Sequence, residues 1–171
     1  PDQGGQAGQG ELAKKLDSKR AVRIYDKCME FSSNKELNVL DYGGGNGKIM
    51  APFLENKHTC HIIDYNDKQL TGILKIGNDI NNYQTNVIYD LIICSHVLEH
   101  VSDVSNLIIK LKSLLSPEGI VYAEVPQEIW AGLRIDADPV THINYFTANS
   151  FANLFLSNNF EIIEKKQLIS N

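Results

Sequence analysis

The sequence predicts an α/β fold with a doubly wound, mostly parallel sheet. Short apolar runs of strand length alternate along the chain with segments of helical periodicity. The run at residues 89–95 is almost continuously apolar, as in a strand that helices cover on both faces. A glycine-rich turn at residues 43–47 directly follows an earlier apolar run, and such turns join a strand to a helix in nucleotide-binding α/β folds.

Length and composition narrow the class of protein. The 171 residues suffice for one domain with a sizeable core, and the 43% hydrophobic content is ordinary for a globular protein. A net charge of −5 argues against a nucleic-acid partner, because no basic stripe is available to neutralise phosphates. No apolar run reaches the roughly 20 residues that span a bilayer, so no membrane partner is predicted. Three scattered cysteines (Cys28, Cys60 and Cys94) lack metal or disulfide spacing and indicate a reducing cytoplasm.

Residues 1–33 are expected to form a loop and a helix in front of the main domain, residues 34–171. Residues 1–10 are rich in Gly and Gln and predict a loop, whereas residues 11–31 place most apolar side chains on one helical face. We expect this helix to pack on the sheet; that Gln6, Gln9 or Arg20 reaches over a ligand is an open alternative. The start at Pro1, without an initiator methionine, predicts a domain of a longer chain.

The remaining elements follow from periodicity and turn signals. Strands are predicted at residues 38–42, 60–63, 74–76, 89–95, 120–125 and 161–169, and helices at residues 48–54, 104–115 and 148–157. Asp103 is placed at the N-cap of the second of these helices, and residues 116–119 are predicted to turn. The crossover between residues 65 and 76 shows little helical periodicity and is expected to be short.

The glycine turn carries the first functional signal. Asp41 ends an apolar strand, and Gly43, Gly45 and Gly47 follow at alternate positions. Glycines there let backbone N–H groups approach a ligand that a β-carbon would block. The dinucleotide pattern G-x-G-x-x-G does not fit, because position 48 is a lysine.

A second acid, Asp64, ends the next predicted strand, 17 residues beyond Gly47. A carboxylate in this position of a doubly wound fold accepts hydrogen bonds from both ribose hydroxyls of a nucleotide. The alternative is an acid that merely forms the turn before residues 65–66. The spacing of Asp64 from the glycine turn favours the ribose role.

Four motifs in order resemble those of the class I S-adenosylmethionine (SAM) methyltransferases, in particular the small-molecule and sugar methyltransferases. The turn from Asp41 to Gly47 resembles acid-x-G-x-G-x-G, and residues 90–101, Asp-Leu-Ile-Ile-Cys-Ser-His-Val-Leu-Glu-His-Val, closely resemble fDlI-x-x-x-x-vLEHv. Residues 115–119 resemble L-x-P-G-G, with Glu118 in place of a glycine. Residues 142–147 resemble the H-x-x-x-F-t segment of methyltransferases that act on sugars and related metabolites.

The resemblance covers residues 34–169 and implies a Rossmann-like fold with SAM as the cofactor. It places Asp41, Gly43, Gly45 and Gly47 along the methionine part of SAM, Asp64 on the ribose, Asn78 and Asp79 at the adenine, and Ser95 near the methyl group. It also implies a last strand that inserts beside residues 120–125. We expect that strand to be missing, with an open sheet edge that a second copy or the parent chain covers.

Three histidines are candidates for the proton transfer that methylation of a hydroxyl requires. His142 is the first choice because it lies in an irregular segment after residues 120–125, which is a typical place for an acceptor-binding loop. His96 ends a strand directed at the cofactor, and His100 serves either catalysis or positioning of its turn. Glu99 either orients a neighbouring histidine or caps a helix. No metal site is predicted, because Glu99 and His100 with His96 match known ligand spacings poorly.

The predicted function is transfer of a methyl group from SAM to a small hydroxylated metabolite, with a sugar or nucleotide-sugar as the leading acceptor. One alternative is a non-catalytic SAM-binding or interaction domain of a larger glycan-synthesis protein. The other is an NAD-dependent oxidoreductase, against which the glycine spacing and the Leu98-Glu99-His100 motif both argue.

Overall fold

A six-stranded sheet forms the centre of the computed structural model, which describes residues 4–32, 36–126 and 142–167. Its strands are β1 (Asn38–Tyr42), β2 (Thr59–Ile63), β3 (Ile73–Asp79), β4 (Asn82–Tyr83), β5 (Tyr89–Ser95) and β6 (Leu115–Glu124). They lie in the order β4-β3-β2-β1-β5-β6, and every neighbouring pair is parallel except the β3–β4 hairpin. The predicted mostly parallel α/β sheet is therefore confirmed.

Helices flank this sheet and begin at well-defined caps. They are α1 (Gly4–Glu30), α2 (Ala51–Glu55), α3 (Val104–Leu114) and α4 (Ala148–Ser157), with short 3-10 helices at Lys48–Met50 and Leu98–His100. Asp103 caps α3 as predicted, since its carboxylate accepts the Asn106 N–H at 3.0 Å. Thr147 and Ser150 exchange side-chain-to-backbone hydrogen bonds and start α4 with a capping box. None of the described helices is long and apolar enough to cross a membrane.

Successive side chains of the central strands alternate between two cores. Val39, Leu91 and Ile93 pack with residues of α1 and α2 on one face, whereas Leu40 and Ile92 pack with residues of α3 on the other. Side chains alternate across a strand, so a strand covered on both faces must be apolar at every position. This explains the continuous apolar run that predicts β5.

Two expectations near the N-terminus and β3 are corrected by the structure. Residues 4–10 belong to α1 rather than to a loop. Extending an existing helix costs much less than starting one, so a Gly/Gln-rich lead-in can continue it. Strand β3 is also longer than predicted, and it turns back into β4 at a tight turn where the Asp79 carboxylate accepts the Asn81 N–H at 2.6 Å.

The outer strand β6 and the C-terminal segment also differ from expectation. The predicted turn at residues 116–119 lies within β6 as a bulge, because Tyr89 pairs with Leu115 whereas Leu91 pairs with Ile120. Pro117 has no N–H to donate, which favours such an interruption of the ladder. Residues 161–167 form no strand, and residues 168–169 of the predicted strand lie outside the described residues. Within the described residues β6 is an edge strand of the sheet.

Replacing Phe53 by alanine is expected to destabilise the protein by about 3–5 kcal/mol, because it leaves a cavity between α1 and the sheet. The Phe53 ring is fully buried and lies edge-on to Tyr25, with a centroid distance of 4.9 Å. Urea denaturation measures the loss. The matched control is Phe31→Ala at a ring that is 41% exposed, where a change within about 0.5 kcal/mol is expected. Equal midpoints for Phe53→Ala and wild type would contradict this assignment of the core.

Candidate active site

The carboxyl ends of the parallel strands bring the predicted functional residues to one edge of the sheet. Strands β1, β2, β3, β5 and β6 run in the same direction. The glycine loop follows β1, Asp64 follows β2, and His96 follows β5. Ligands of open α/β sheets bind at this edge, so the topology forms a single candidate site.

The glycine loop is a cradle with one open position. Gly43, Gly45 and Gly47 have φ angles of 73°, 61° and 79°, which favour glycine. A β-carbon at Gly43 would lie 2.4 Å from Val97 Cγ2, and one at Gly47 would lie 2.2 Å from Ile73 Cδ1. At Gly45 a β-carbon would meet no described protein atom within 4 Å. Two glycines therefore allow packing behind the loop, and Gly45 faces the space that a ligand can enter.

Asp41 lies buried beneath this loop with an unsatisfied carboxylate. Its exposed fraction is 0%, and neither oxygen has a hydrogen-bond partner among the described residues. The pKa of Asp41 is raised to about 7, mainly by burial and also by the negative charge of Asp64, while the positive charge of Arg20 acts against the rise. A β-carbon at Gly44 would lie 2.0 Å from Asp41 Oδ2. The carboxylate thus lies in contact with the loop and lacks a cation or donor.

Asp64 supports the loop from the neighbouring strand. Its Oδ2 accepts the Gly45 N–H at 2.8 Å, and its Oδ1 accepts the Asn66 N–H at 2.7 Å. The turn-forming role that the sequence left open is therefore present. A carboxylate has about four acceptor positions, so both oxygens keep capacity for ligand hydroxyls, and the ribose role stays a prediction.

The other predicted cofactor residues differ in their exposure and in their hydrogen bonds. Asn78 is exposed and Asp79 is half-buried, both at the carboxyl end of β3. Ser95 is buried, and its hydroxyl donates to Glu124 Oε1 at 2.6 Å and accepts from Arg20 at 2.5 Å. Ser95 therefore holds α1 to the sheet, and Arg20 contacts the ends of β5 and β6.

Glu124 is a site residue that the sequence reasoning missed. It binds Arg20 and accepts from the Tyr122 hydroxyl at 2.9 Å. Burial opposes its ionisation, but the hydrogen bonds from Ser95 and Arg20 outweigh burial and hold the pKa of Glu124 below its ordinary value. The signal was available, because Glu124 is an acid at the end of an apolar run, as Asp41 and Asp64 are.

All three candidate catalytic histidines lie around Glu99. His96 Nδ1 lies 3.4 Å and His100 Nε2 lies 3.9 Å from Glu99 Oε1. The His142 ring lies edge-on to the His100 ring at a centroid distance of 4.7 Å. The sequence treated these residues as separate candidates, and the fold places them in one cluster, which we call the histidine cluster.

Hydrogen bonds hold the segment that begins at His142 against the 3-10 helix that contains Glu99. The N–H groups of Ile143 and Asn144 donate to the Glu99 carbonyl at 2.8 and 3.0 Å. The Asn144 amide donates to the carbonyls of Leu98 and Val101 at 3.0 and 2.6 Å. Residues 127–141, which include most of the irregular segment before His142, lie outside the described residues.

Glu99 is the charged centre of the cluster. Its exposed fraction is 1%, and its Oε2 has no hydrogen-bond partner among the described residues. Burial opposes ionisation, but the hydrogen bond with His96 and the nearby His100 outweigh it and hold the pKa of Glu99 below its ordinary value. Glu99 is therefore an ionised carboxylate at neutral pH.

His96 has a strained backbone, whereas His58 and His61 have structural contacts. His96 has a φ of 55°, which is uncommon for a non-glycine residue, and its N–H donates to the Glu124 carbonyl at 3.0 Å. Such strain concentrates at functional sites. In contrast, His58 Nδ1 accepts the Leu37 N–H, and His61 Nδ1 lies 2.8 Å from the Tyr89 hydroxyl.

Known proteins match this chain in sequence. A family model described as "Methyltransferase domain" matches residues 15–165. The ubiquinone biosynthesis O-methyltransferase of Rickettsia typhi is 26% identical over 66% of this chain and 51% of the relative. That of Rickettsia prowazekii is 28% identical over 66% of this chain and 50% of the relative. The chain spans about half the length of these curated relatives.

Solved structures share the fold. The Burkholderia thailandensis 1,6-didemethyltoxoflavin-N1-methyltransferase, bound to 1,6-didemethyltoxoflavin and S-adenosylhomocysteine, has a TM-score of 0.69 at 16% identity and covers 92% of this chain and 73% of its own. The magnesium protoporphyrin IX methyltransferase of Synechocystis PCC 6803, bound to SAH, has a TM-score of 0.67 at 16% identity and covers 96% and 81%. At these identities the likeness concerns the fold alone.

Asp41→Asn is expected to remove a pH-dependent destabilisation of the ligand-free protein. An unfolded aspartate titrates near pH 3.9, whereas burial gives Asp41 a pKa of about 7 in the folded protein. Between these values the folded protein holds a proton that the unfolded chain has lost. Stability therefore falls as the pH rises from about 4 to 7, by at most about 1.4 kcal/mol per pH unit, and is level above that range.

Urea denaturation of wild type and Asp41→Asn at pH 5, 6, 7 and 8 measures this effect as the difference between the two proteins. The variant is expected to gain on wild type up to about pH 7. Asp67→Asn controls for the loss of one negative charge, because the Asp67 side chain is 89% exposed. A difference that stays constant across the four pH values would contradict the burial of an unpaired Asp41 carboxylate.

Proposed function

The chain belongs to the methyltransferase domain family, and from this membership we propose that it transfers a methyl group from SAM to a hydroxyl of a small molecule. One observation carries the proposal. A glycine cradle with two acidic residues and a histidine cluster around the buried Glu99 lie at the same edge of the sheet. The first has the chemistry to hold the methyl donor, and the second has the chemistry to accept a proton.

The residues of the cradle fit SAM in charge and in space. SAM carries a sulfonium and an ammonium, both positive, and Asp41 offers a buried carboxylate without a partner among the described residues. Gly45 leaves open space beside the Asp64 carboxylate, whose remaining acceptor positions suit ribose hydroxyls. Asn78 and Asp79 end β3 at the same edge, and we assign them to the adenine.

His96 is the best placed general base. Glu99 Oε1 lies 3.4 Å from its Nδ1, and a carboxylate there orients the ring and favours a tautomer whose Nε2 accepts a proton. The His96 side chain is 49% exposed, so an acceptor can reach it. The sequence ranks His142 first, and the His142 ring lies edge-on to the ring of His100 at a centroid distance of 4.7 Å.

The acceptor is proposed to be a hydroxyl on an aromatic ring rather than the sugar hydroxyl that the sequence ranks first. The curated relatives are named as O-methyltransferases of ubiquinone biosynthesis. A phenol loses its proton near pH 10, whereas an aliphatic hydroxyl, like water, keeps it to about pH 16. Proton transfer to a histidine is therefore much less unfavourable from a phenol.

The bound cofactor supplies a methyl group on a sulfonium, which is a reactive donor without further activation. Asp41, Asp64 and the glycine loop would hold the donor, whose methyl carbon would bond to the acceptor oxygen as its bond to sulfur breaks. His96 takes the proton of the hydroxyl, and the Glu99 carboxylate stabilises the imidazolium that results. The chain mainly supplies alignment, exclusion of water and one proton acceptor.

The cradle is tested by S-adenosylhomocysteine binding to Asp64→Asn, measured by isothermal titration calorimetry. We expect the affinity to fall about tenfold or more, because the variant loses a charged acceptor of hydrogen bonds. Asp67→Asn is the matched control in the same loop, where the exposed side chain contacts Lys75, and its affinity is expected to stay within about twofold of wild type. No binding to wild type would overturn the proposal, and equal losses in both variants would remove the ribose role of Asp64.

The reaction is tested with labelled SAM against catechol and a pool of nucleotide-sugars. Label in catechol supports a phenolic acceptor. Label only in the nucleotide-sugars contradicts it and supports a sugar hydroxyl as the acceptor. With the labelled acceptor, His96→Ala is expected to lower the single-turnover rate by about 10²–10⁴-fold, with S-adenosylhomocysteine affinity unchanged. If His96→Ala keeps the full rate while His142→Ala loses it, the base is His142.

A further inference from the structure

We propose that Glu99, His100 and His142 bind a divalent transition-metal ion at the carboxyl edge of the sheet. Each residue offers one ligand atom, and the three atoms lie within 4.8 Å of one another. Two imidazoles and one carboxylate are a ligand set that suits Zn²⁺ and similar ions. The sequence predicts no metal here because His142 lies 42 residues beyond His100, so no local motif contains the set.

The buried Glu99 carboxylate is an independent sign of a missing cation. Its oxygen Oε2 has no hydrogen-bond partner among the described residues, although the residue is only 1% exposed. The charge is costly there, because a buried ionised carboxylate needs hydrogen bonds or a counter-ion. His96 and His100 both approach the other oxygen, Oε1. A cation at Oε2 would satisfy the remaining acceptor.

The backbone holds the three ligands together. Glu99 and His100 lie in the 3-10 helix Leu98–His100. The Glu99 carbonyl accepts two N–H groups from the residues that directly follow His142, at 2.8 and 3.0 Å. The Asn144 amide also donates hydrogen bonds to the carbonyl of Leu98, the first residue of the 3-10 helix, and to that of Val101, which directly follows it. The third ligand is thus positioned by the turn that carries the first two, as a preorganised site requires.

Only small side-chain movements separate this geometry from coordination. Tetrahedral zinc with bonds of about 2.1 Å places its ligand atoms roughly 3.4 Å apart. The three ligand atoms lie within 4.8 Å of one another, and the His100 side chain is 40% exposed. Rotation of that ring closes the gap without moving the sheet or the 3-10 helix.

Three protein ligands leave a fourth position open, as in catalytic zinc sites. The cluster borders the cradle, since Val97, two residues before Glu99, contacts the loop position of Gly43. If the proposed function holds, the open position suits the acceptor oxygen, because a bound cation lowers the pKa of a coordinated hydroxyl. Cation binding itself does not depend on that function.

The test titrates the chelator-treated full chain with CoCl₂ and follows the visible d–d absorption of a four- or five-coordinate site; ZnSO₄ competition then measures zinc affinity. We expect one ion per chain. Glu99→Gln, His100→Asn and His142→Asn are each expected to weaken binding by more than about 100-fold, because loss of outer-shell partners alone costs 10–100-fold. Asp67→Asn is the matched control, because its 89% exposed side chain lies outside the cluster, and it is expected to stay within about threefold of wild type.

Each outcome decides the proposal. No absorption at stoichiometric cobalt, or a loss in Asp67→Asn equal to that in His142→Asn, overturns this ligand set. If Glu99→Gln fails to fold by circular dichroism, His100→Asn and His142→Asn carry the test, because neither side chain is buried. Cation binding without methyl transfer would leave the metal site and remove the proposed function. Methyl transfer by a chain that binds no cobalt would overturn the metal site and support the proposed function.

Discussion

Two carboxylates buried at the carboxyl edge of the sheet, Asp41 and Glu99, set the constraint on which the candidate site depends. Each has at least one oxygen without a hydrogen-bond partner among the described residues, and a buried carboxylate in that state favours either a proton or a cation. The two respond differently. Burial dominates at Asp41 and raises its pKa to about 7, whereas contacts with His96 and His100 keep the pKa of Glu99 low. Near neutral pH a ligand cation therefore competes with a proton at Asp41, but not at Glu99.

The N-terminal helix contributes to the same constraint from the other side of the sheet edge. Its buried residues Ala21, Ile24 and Cys28 belong to the sheet's core, and its Arg20 binds Glu124 and Ser95 at the ends of β6 and β5. The charge of Arg20 also opposes the rise in the pKa of Asp41. The helix thus influences the cradle electrostatically through the ion pair between Arg20 and Glu124.

The sequence predicts those parts of the fold that local patterns determine. The bounds of β1, β5 and α4 are confirmed, because a covered strand must be apolar throughout and a capping box starts a helix at a defined residue. Residues 161–167 alternate like a strand but form none, since pairing with a sheet edge depends on long-range contacts that a local pattern does not determine. The sequence likewise did not predict that the three histidines form one cluster. Its members were each named, but only the pairing of residues 143–144 with Glu99 brings them together.

The Glu99 carboxylate can support both the general base His96 and the proposed cation, because its two oxygens have different surroundings. Oε1 of Glu99 lies near His96 and His100, and Oε2 has no hydrogen-bond partner among the described residues. A cation at Oε2 would withdraw electron density from the carboxylate and weaken its support of the His96 imidazolium. It would also acidify a coordinated acceptor hydroxyl, so less basicity would be needed from His96. The two effects offset each other in the proton transfer, and this balance is a physical reason for base and cation to share a single buried charge.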